Sequence, residues 1–147
     1  MKINNSAITH GGKFHADDVF STALIKKVNP GINIVRTFEI PDDFDGIVFD
    51  IGFGKYDHHQ EGADVRDNGL PYAAFGLLWR DFGVTVLTGA GCLPAQAAKE
   101  AARFDEGFIQ ALDHSDNTGY QNQLADVISD FNPSWDSDGF CPKLRRN

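Results

Sequence analysis

The sequence predicts an α/β domain in which a largely parallel sheet is flanked by helices. Three observations indicate this fold: short apolar or β-branched runs recur early in the chain, a helical pattern lies between the first two, and the links are short. A chain of 147 residues with 41% hydrophobic side chains is enough to bury one core. We therefore expect a single domain over residues 1–147.

The first half of the chain supplies the predicted sheet. The predicted elements are a strand at 6–9 that ends at His10, a helix at 15–28, a strand at 32–37 and a strand at 47–49. Apolar residues fall at helical spacing in the helix, and Asn29, Pro30 and Gly31 end it. The continuous apolar run at 47–49 is typical of a buried parallel strand, and it ends at Asp50.

The second half is predicted to be mainly helical. Helical spacing indicates helices at 72–82, at 94–112 and at 121–131, and Pro94 suits the first position of the middle one. Residues 132–147 show little periodicity and close on a basic segment at 143–146. There is no internal repeat and no marked domain boundary.

Charge and composition restrict the partners. The formal net charge of −8 argues against nonspecific nucleic-acid binding, which needs basic residues facing phosphates. Divalent ions bound among acidic residues would reverse this local repulsion, so a phosphate-bearing substrate stays open. No apolar run reaches the roughly 18 residues of a membrane span, and Cys92 and Cys141 are far apart. We expect a cytoplasmic protein with reduced thiols and no membrane partner.

Histidines and aspartates follow the predicted strands at the points where they end. They are His10, then His15, Asp17 and Asp18, then Asp50, and then Asp57, His58 and His59. The carboxyl ends of parallel strands and the starts of the following helices share one edge of a sheet, which is where ligands bind. We expect these side chains to converge on one crevice.

Each of these residues also has an ordinary structural explanation. Asp17 and Asp18 could offset the dipole of the first helix, and Asp50 could cap a turn leading to Gly52. Convergence favours a metal site, because unrelated explanations would otherwise have to coincide at one edge. Histidine and aspartate without cysteine suit Mn²⁺, Mg²⁺, Fe²⁺ or Zn²⁺, and this many ligands can hold two ions bridged by a shared Asp.

Three motifs carry a resemblance to a known family. The segments Thr-His-Gly-Gly-Lys-Phe-His-Ala-Asp-Asp at 9–18, Val-Phe-Asp-Ile-Gly at 48–52 and Tyr-Asp-His-His-Gln at 56–60 resemble the melanocyte-proliferating-gene-one family. That family belongs to the DHH phosphoesterase superfamily, named for its Asp-His-His triplet. The resemblance runs from about 5 to 136, and three ordered motifs make it specific.

The resemblance implies a role for each matching residue. The implied metal ligands are His10, His15, Asp17, Asp50, His58 and Asp116, with Asp113 as the second choice for the last position. Asp50 matches the ligand that bridges both ions, and His15 stands where many members have an Asp. Asp57 would orient the site and His59 would face the substrate, as the catalytic pair.

The resemblance implies a metal-dependent phosphoric ester hydrolase. Two divalent ions, with Mn²⁺ expected first and Mg²⁺, Fe²⁺ or Zn²⁺ as alternatives, would activate water against a phosphodiester in a nucleotide or RNA, as an exonuclease does. One alternative is a pyrophosphatase-like hydrolase of phosphoanhydrides. Another is a catalytically silent module that binds metal or a partner.

Members of the superfamily usually carry a second, C-terminal domain that supplies basic residues for the substrate. This chain ends soon after 136, and its basic segment at 143–146 is too short to replace that domain. Four further arginines, Arg36, Arg66, Arg80 and Arg103, are scattered along the sequence. We therefore expect the metal-binding domain alone. The expected partners are a small phosphorylated molecule or a short single-stranded nucleic acid, and a second copy in a homodimer.

Overall fold

The computed structural model describes residues 5–133. In that range the elements are β1 (Ser6–His10), α1 (Ala16–Val28), β2 (Asn33–Thr37), β3 (Ile47–Val48), α2 (Ala74–Gly89), α3 (Pro94–Phe104), α4 (Gln110–Thr118) and α5 (Gln123–Ser129). The predicted α/β class is confirmed. Cys141 and the basic segment at 143–146 lie outside the described residues.

The three described strands form one parallel sheet in the order β2-β1-β3. Ala7 of β1 pairs with Ile34 on one side and Ile47 on the other, so β1 is the central strand. The parallel strand predicted at 47–49 is confirmed, but it is shorter and lies at the edge. Phe49 leaves the ladder, forms a bridge with Tyr56 and is fully buried. An edge strand has one neighbour, so Ile47 is only partly buried.

Helix α1 crosses from β1 to β2 and covers the sheet. It begins at Ala16, one residue later than predicted, because His15 has extended backbone and stands before the first turn. The His15 N–H donates to Asp18 Oδ2 at 2.9 Å, which satisfies one of the unpaired groups at the helix start. Asn29 ends the helix as predicted, through an N–H bond to the Ile25 carbonyl.

Helix α2 lies against α1 and carries the largest part of the core. The side predicted to be apolar is buried throughout, at Phe75, Leu78, Trp79 and Phe82. The helix runs to Gly89, beyond the predicted end at 82, because Val86 and Leu87 still pack against the core.

The helix predicted at 94–112 is interrupted. Helix α3 ends at Phe104, and a π-helical segment at Asp105–Ile109 leads into α4, which continues to Thr118. The π turn holds one more residue than an α turn, so it rotates the following helix, and Leu112 then packs in the core. None of the helices in the part of the chain that the structure describes is long and apolar enough to cross a membrane.

Candidate metal centre

The acidic and histidine residues predicted from the sequence meet at the carboxyl edge of the sheet. His10 is the last residue of β1, and Asp50 follows the end of β3 after one residue. Asp17 and Asp18 lie in the first turn of α1, which starts at the same edge. Asp116 lies on α4, which packs against α1. The topology therefore brings residues from four elements into one crevice.

One group of potential ligands surrounds His10. Donor atoms of His10, His15, Asp18 and Asp50 all lie within 4.8 Å of one another. His10 Nε2 is 3.0 Å from Asp18 Oδ2 and 3.2 Å from Asp50 Oδ2. These contacts, with Asp18 first and Asp50 second, raise the pKa of His10 to about 10. The site therefore strongly favours positive charge between these carboxylates.

A second group lies deeper and contains three carboxylates. Asp17, Asp50, His58 and Asp116 also place donor atoms within 4.8 Å of one another. His58 Nε2 is 3.1 Å from Asp116 Oδ2, and His58 Nδ1 is 3.7 Å from Asp50 Oδ1. Burial, followed by the negative charges of Asp50 and Asp116, raises the pKa of Asp17 well above its usual range. A third group consists of Asp50, Asp57, His58 and His59. Asp50 is common to all three groups, which is the geometry of a shared ligand.

Asp17 and Asp18 are adjacent but serve different helices. Asp18 caps the start of α1 by accepting the His15 N–H, and from the first turn its charge also offsets the helix dipole, the ordinary role predicted from the sequence. Asp17 caps a different helix: its carboxylate accepts the backbone N–H groups of Ala74 at 3.0 Å and Phe75 at 2.7 Å. It therefore caps α2, which begins 57 residues later in the chain. This contact fixes the start of α2 to the candidate centre.

Asp18 is among the residues expected to converge on the metal site, although the family resemblance does not imply it as a ligand, and it is the carboxylate next to His10. Arg36 holds it with Nη1 at 2.7 Å and Nη2 at 3.3 Å from its two oxygens. Burial raises the pKa of Asp18, but the bonds from His10 and Arg36 outweigh it, so that the pKa lies below its usual value. The signal in the sequence was the second Asp of the pair, whose ionic partner Arg36 lies on β2.

The backbone of Asp50 is unusual. Its φ is 57°, in the left-handed region that non-glycine residues seldom adopt. The Asp50 N–H donates to the Tyr56 carbonyl at 2.9 Å, which ties the residue to the loop that carries the histidine pair. A strained backbone of this kind persists where the surroundings hold it, and it is frequent at functional sites.

Asp57 organises the loop that carries His58 and His59. Its Oδ2 accepts the Phe53 N–H at 2.7 Å, and its Oδ1 accepts the His59 N–H at 3.1 Å. The same Oδ1 lies 2.7 Å from His59 Nδ1. The Asp57 side chain is buried, whereas that of His59 is 55% exposed. This arrangement is what an orienting Asp and a substrate-facing His require, and the two catalytic roles stay predictions.

The two candidates on α4 are separated by their contacts. Asp113 is fully buried, and its Oδ2 lies 2.7 Å from Arg66 Nη2. Among the described residues it joins none of the groups that could hold a metal, whereas Asp116 does. The geometry therefore favours Asp116, the first choice from the sequence, and assigns Asp113 to an ion pair.

The donor atoms fit a divalent cation. Buried side-chain atoms without a hydrogen-bond partner in the described chain include Asp50 Oδ1 and His58 Nδ1. Such atoms are rare in folded proteins, because an unpaired buried polar group costs free energy. Both residues belong to the groups of potential ligands, and imidazole with carboxylate suits Mn²⁺, Fe²⁺ or Zn²⁺.

The arginines do not form a phosphate clamp. Within residues 5–133, each of the four pairs with a carboxylate: Arg36 with Asp18, Arg66 with Asp105 and Asp113, Arg80 with Asp64, and Arg103 with Glu100. A phosphate at this edge would therefore depend on cations bound by the acidic residues.

Comparisons with known proteins agree with the motifs. The family model MYG1_exonuc, described as an uncharacterised protein family (UPF0160), matches residues 6–144. The MYG1 protein C694.04c of Schizosaccharomyces pombe is 28% identical over 163 residues, which is 88% of this chain and 48% of that protein. The chain thus spans about half the length of this curated relative. No solved structure matches significantly. The match over nearly the whole chain confirms the family expected from the motifs: the protein belongs to the MYG1_exonuc family, UPF0160.

Proposed function

We propose that this chain is the metal-binding part of a phosphoesterase of the DHH superfamily. It would use two divalent ions to hydrolyse a phosphodiester in a nucleotide or a short single-stranded RNA. The observation that carries the proposal is Asp50, which is shared by all three groups of potential ligands. The name of the family model, MYG1_exonuc, supports activity of the nuclease type.

The proposed ligands divide between two ions. His10, His15 and Asp50 would hold one ion, and Asp17, Asp50, His58 and Asp116 would hold the other. Two such ions supply Lewis acidity, which lowers the pKa of a water molecule and polarises a phosphoryl oxygen. We propose Mn²⁺ as the metal, because a mixed imidazole and carboxylate set suits it.

His59 is proposed to contact the substrate. Asp57 contacts the Nδ1 atom of His59, so Nε2 is the ring nitrogen that would contact a phosphoryl oxygen. The ring borders both cavities that flank the centre. Asp57 also accepts the Phe53 N–H, so it holds the loop and the ring in one arrangement. Asp57 would therefore be a positioning residue, and His59 a catalytic one.

A phosphodiester suits this site better than a pyrophosphate. Pyrophosphate carries more negative charge than a diester and needs more positive charge around it. The arginines of the described chain are engaged with carboxylates, and the net charge is −8. The ions would therefore have to neutralise the charge of the substrate almost alone. A diester needs less positive charge for this than pyrophosphate does.

The test is hydrolysis of bis-p-nitrophenyl phosphate with and without added Mn²⁺. A labelled oligoribonucleotide and pyrophosphate are assayed in parallel. We expect Mn²⁺-stimulated turnover of the diester and the oligonucleotide, abolished in Asp50→Asn and retained in Arg103→Ala, whose side chain lies in an exposed pair. Faster release of phosphate from pyrophosphate would favour the phosphoanhydride alternative. Mn²⁺-induced thermal stabilisation without turnover of any substrate would contradict the proposal and leave a silent metal-binding module.

A further inference from the structure

An apolar cavity adjoins the candidate metal centre. It has a volume of about 510 Å³, and its walls include His10, Asp50 and His59 on one side and the rings of Phe38 and Phe53 on the other. We propose that this cavity binds the aromatic base of the nucleotide whose phosphate is hydrolysed. The inference rests on the proposed function, and it adds the place where the base of a nucleoside-bearing substrate binds.

Phe38 follows β2 directly and reaches over the end of β1. Its side chain is 74% exposed, which is high for an aromatic ring. The ring lies so close to Gly11 that a Cβ at that position would stand 2.9 Å from it. The missing side chain at Gly11 therefore lets the ring lie against the backbone next to His10, within reach of a group bound at the centre.

Phe53 is held out of the core at a conformational cost. Its φ is 55°, a left-handed conformation that is sterically unfavourable for a bulky residue. The Phe53 N–H donates to Asp57 Oδ2, so the loop with the histidine pair fixes this conformation. This backbone conformation does not bring Phe53 into the core, because the residue is 67% exposed. A conformation that costs free energy and buries no ring indicates a role in contact with a ligand.

The chemistry of the walls points to a base. Aromatic side chains bind single-stranded nucleotides by stacking on the π-face that every base has. The remaining apolar wall, with Ile40 and Ile51, adds apolar contact, while the polar side chains of the cavity, such as His10 and Asp50, belong to the candidate metal centre. Stacking of this kind does not depend on which base is bound. A substrate consisting of phosphate alone would leave these rings in water.

The second cavity is less suited to this role. It has a volume of about 350 Å³, and its aromatic rings already have partners in the described chain. Tyr120 stacks on His114 with ring centres 5.1 Å apart, and the Arg36 guanidinium lies 4.3 Å from the centre of the Phe14 ring. Carboxylates line both cavities, so charge alone does not choose between them. A base bound there, against Tyr120, is the competing arrangement that the test must separate.

The test compares adenosine 5′-monophosphate with ribose 5-phosphate, which has the same phosphate and no base. Both are titrated calorimetrically into the Mn²⁺-loaded protein. Stacking is worth about 1–3 kcal/mol per base, so we expect the adenosine compound to bind about 5- to 150-fold more tightly. Phe38→Leu and Phe53→Leu keep an apolar side chain but remove the ring face. Each should lower affinity for the adenosine compound several-fold and leave affinity for ribose 5-phosphate unchanged.

Phe131→Leu is the matched control, because that ring is 69% exposed and lies outside both cavities. Equal affinities of the wild type for the two compounds would overturn the proposal. So would a preference that survives Phe38→Leu and Phe53→Leu, or one lost in Tyr120→Leu instead. These are binding measurements, so the base preference stands or falls separately from turnover. Absence of hydrolysis with an intact base preference would reject the proposed function alone.

Discussion

Arg66 and Asp113 form a buried ion pair, with Nη2 2.7 Å from Oδ2, and Asp113 lies on α4, the helix that also carries Asp116. The same guanidinium binds Asp105 in the π-helical segment through Nε at 2.9 Å and Nη2 at 2.6 Å. It also lies over the ring of Tyr72, 3.9 Å from the ring centre. Arg66 thus joins the segment before α2 to the start and the middle of the helical region that presents Asp116 to His58.

Loss of Arg66 should strongly destabilise the protein. Arg66→Ala leaves the buried Asp113 carboxylate without its cation, and breaking a buried pair in this way costs about 3–5 kcal/mol of unfolding free energy. Urea unfolding followed by circular dichroism measures it. Arg103→Ala removes an arginine that is 76% exposed, and it should cost less than about 1 kcal/mol. A similar loss in both variants would show that the Arg66 pair has no special weight.

Asp113 should make stability depend on pH between about 4 and 6. Burial raises the pKa of Asp113 to about 6, above its unfolded value of 3.8, and Arg66 lowers it only in part. The folded state then holds this proton more tightly, so the Asp113 contribution to stability falls as pH rises through this interval. Asp113→Asn keeps a neutral side chain of the same shape. The free energy of unfolding of this variant, relative to that of the wild type, should therefore be about 3 kcal/mol higher at pH 7 than at pH 4. A pH-independent difference between the two proteins, measured by urea unfolding, would contradict this.

Gly76 should not tolerate alanine, although it lies inside α2. A Cβ there would stand 2.6 Å from Arg66 Nη2 and even closer to Asp113 Oδ2. We expect Gly76→Ala to cost about 1–3 kcal/mol or more by overpacking. Gly89→Ala, at the end of the same helix, meets no atom within 4 Å and should be neutral or stabilising by up to about 1 kcal/mol. Thermal unfolding of both variants makes the comparison, and equal melting temperatures would refute the close approach.

The two roles of Asp17 can be separated. Asp17→Asn keeps an oxygen for the N–H groups of Ala74 or Phe75 and removes a charge that burial, Asp50 and Asp116 disfavour, so stability without metal should rise at neutral pH. Asp17→Ala loses the cap of α2 and should cost about 1–2 kcal/mol. Both variants should lose most of the stabilisation that Mn²⁺ gives to the wild type through mass action. A wild-type Mn²⁺ shift in Asp17→Asn, measured by thermal unfolding, would remove Asp17 from the metal site.

The sequence was sufficient to predict what depends on short-range order. Periodicity predicted α1 and the buried side of α2, and the alternation of strand and helix predicted a parallel sheet whose carboxyl edge collects His10, Asp17 and Asp50. Parallel topology alone brings those groups together, since each follows a strand or starts a helix.

Contacts between distant segments were not predictable in the same way. The Asp17 bond to the start of α2 spans 57 residues, and the Arg66 pair with Asp113 spans 47. Periodicity does not reveal the π-helical segment, because the spacing of its apolar residues differs from that of an α-helix by only one position. The edge position of β3 depends on strand order, which a strand's own composition does not specify. The homodimer, the cytoplasmic location and the roles of Asp57 and His59 stay predictions.

The most direct test of a two-metal centre built around Asp50 is the number of Mn²⁺ ions that each chain binds. Asp50→Asn is the suitable variant, because asparagine tolerates the left-handed backbone at this position and removes only the charge. Asp64→Asn, in a pair whose Asp side chain is 57% exposed, is the control. Calorimetric titration should give two Mn²⁺ per chain for the wild type and for Asp64→Asn, and fewer than one for Asp50→Asn. A wild type that binds no ion, or an Asp50→Asn variant that binds as many as the wild type, would contradict the shared metal centre.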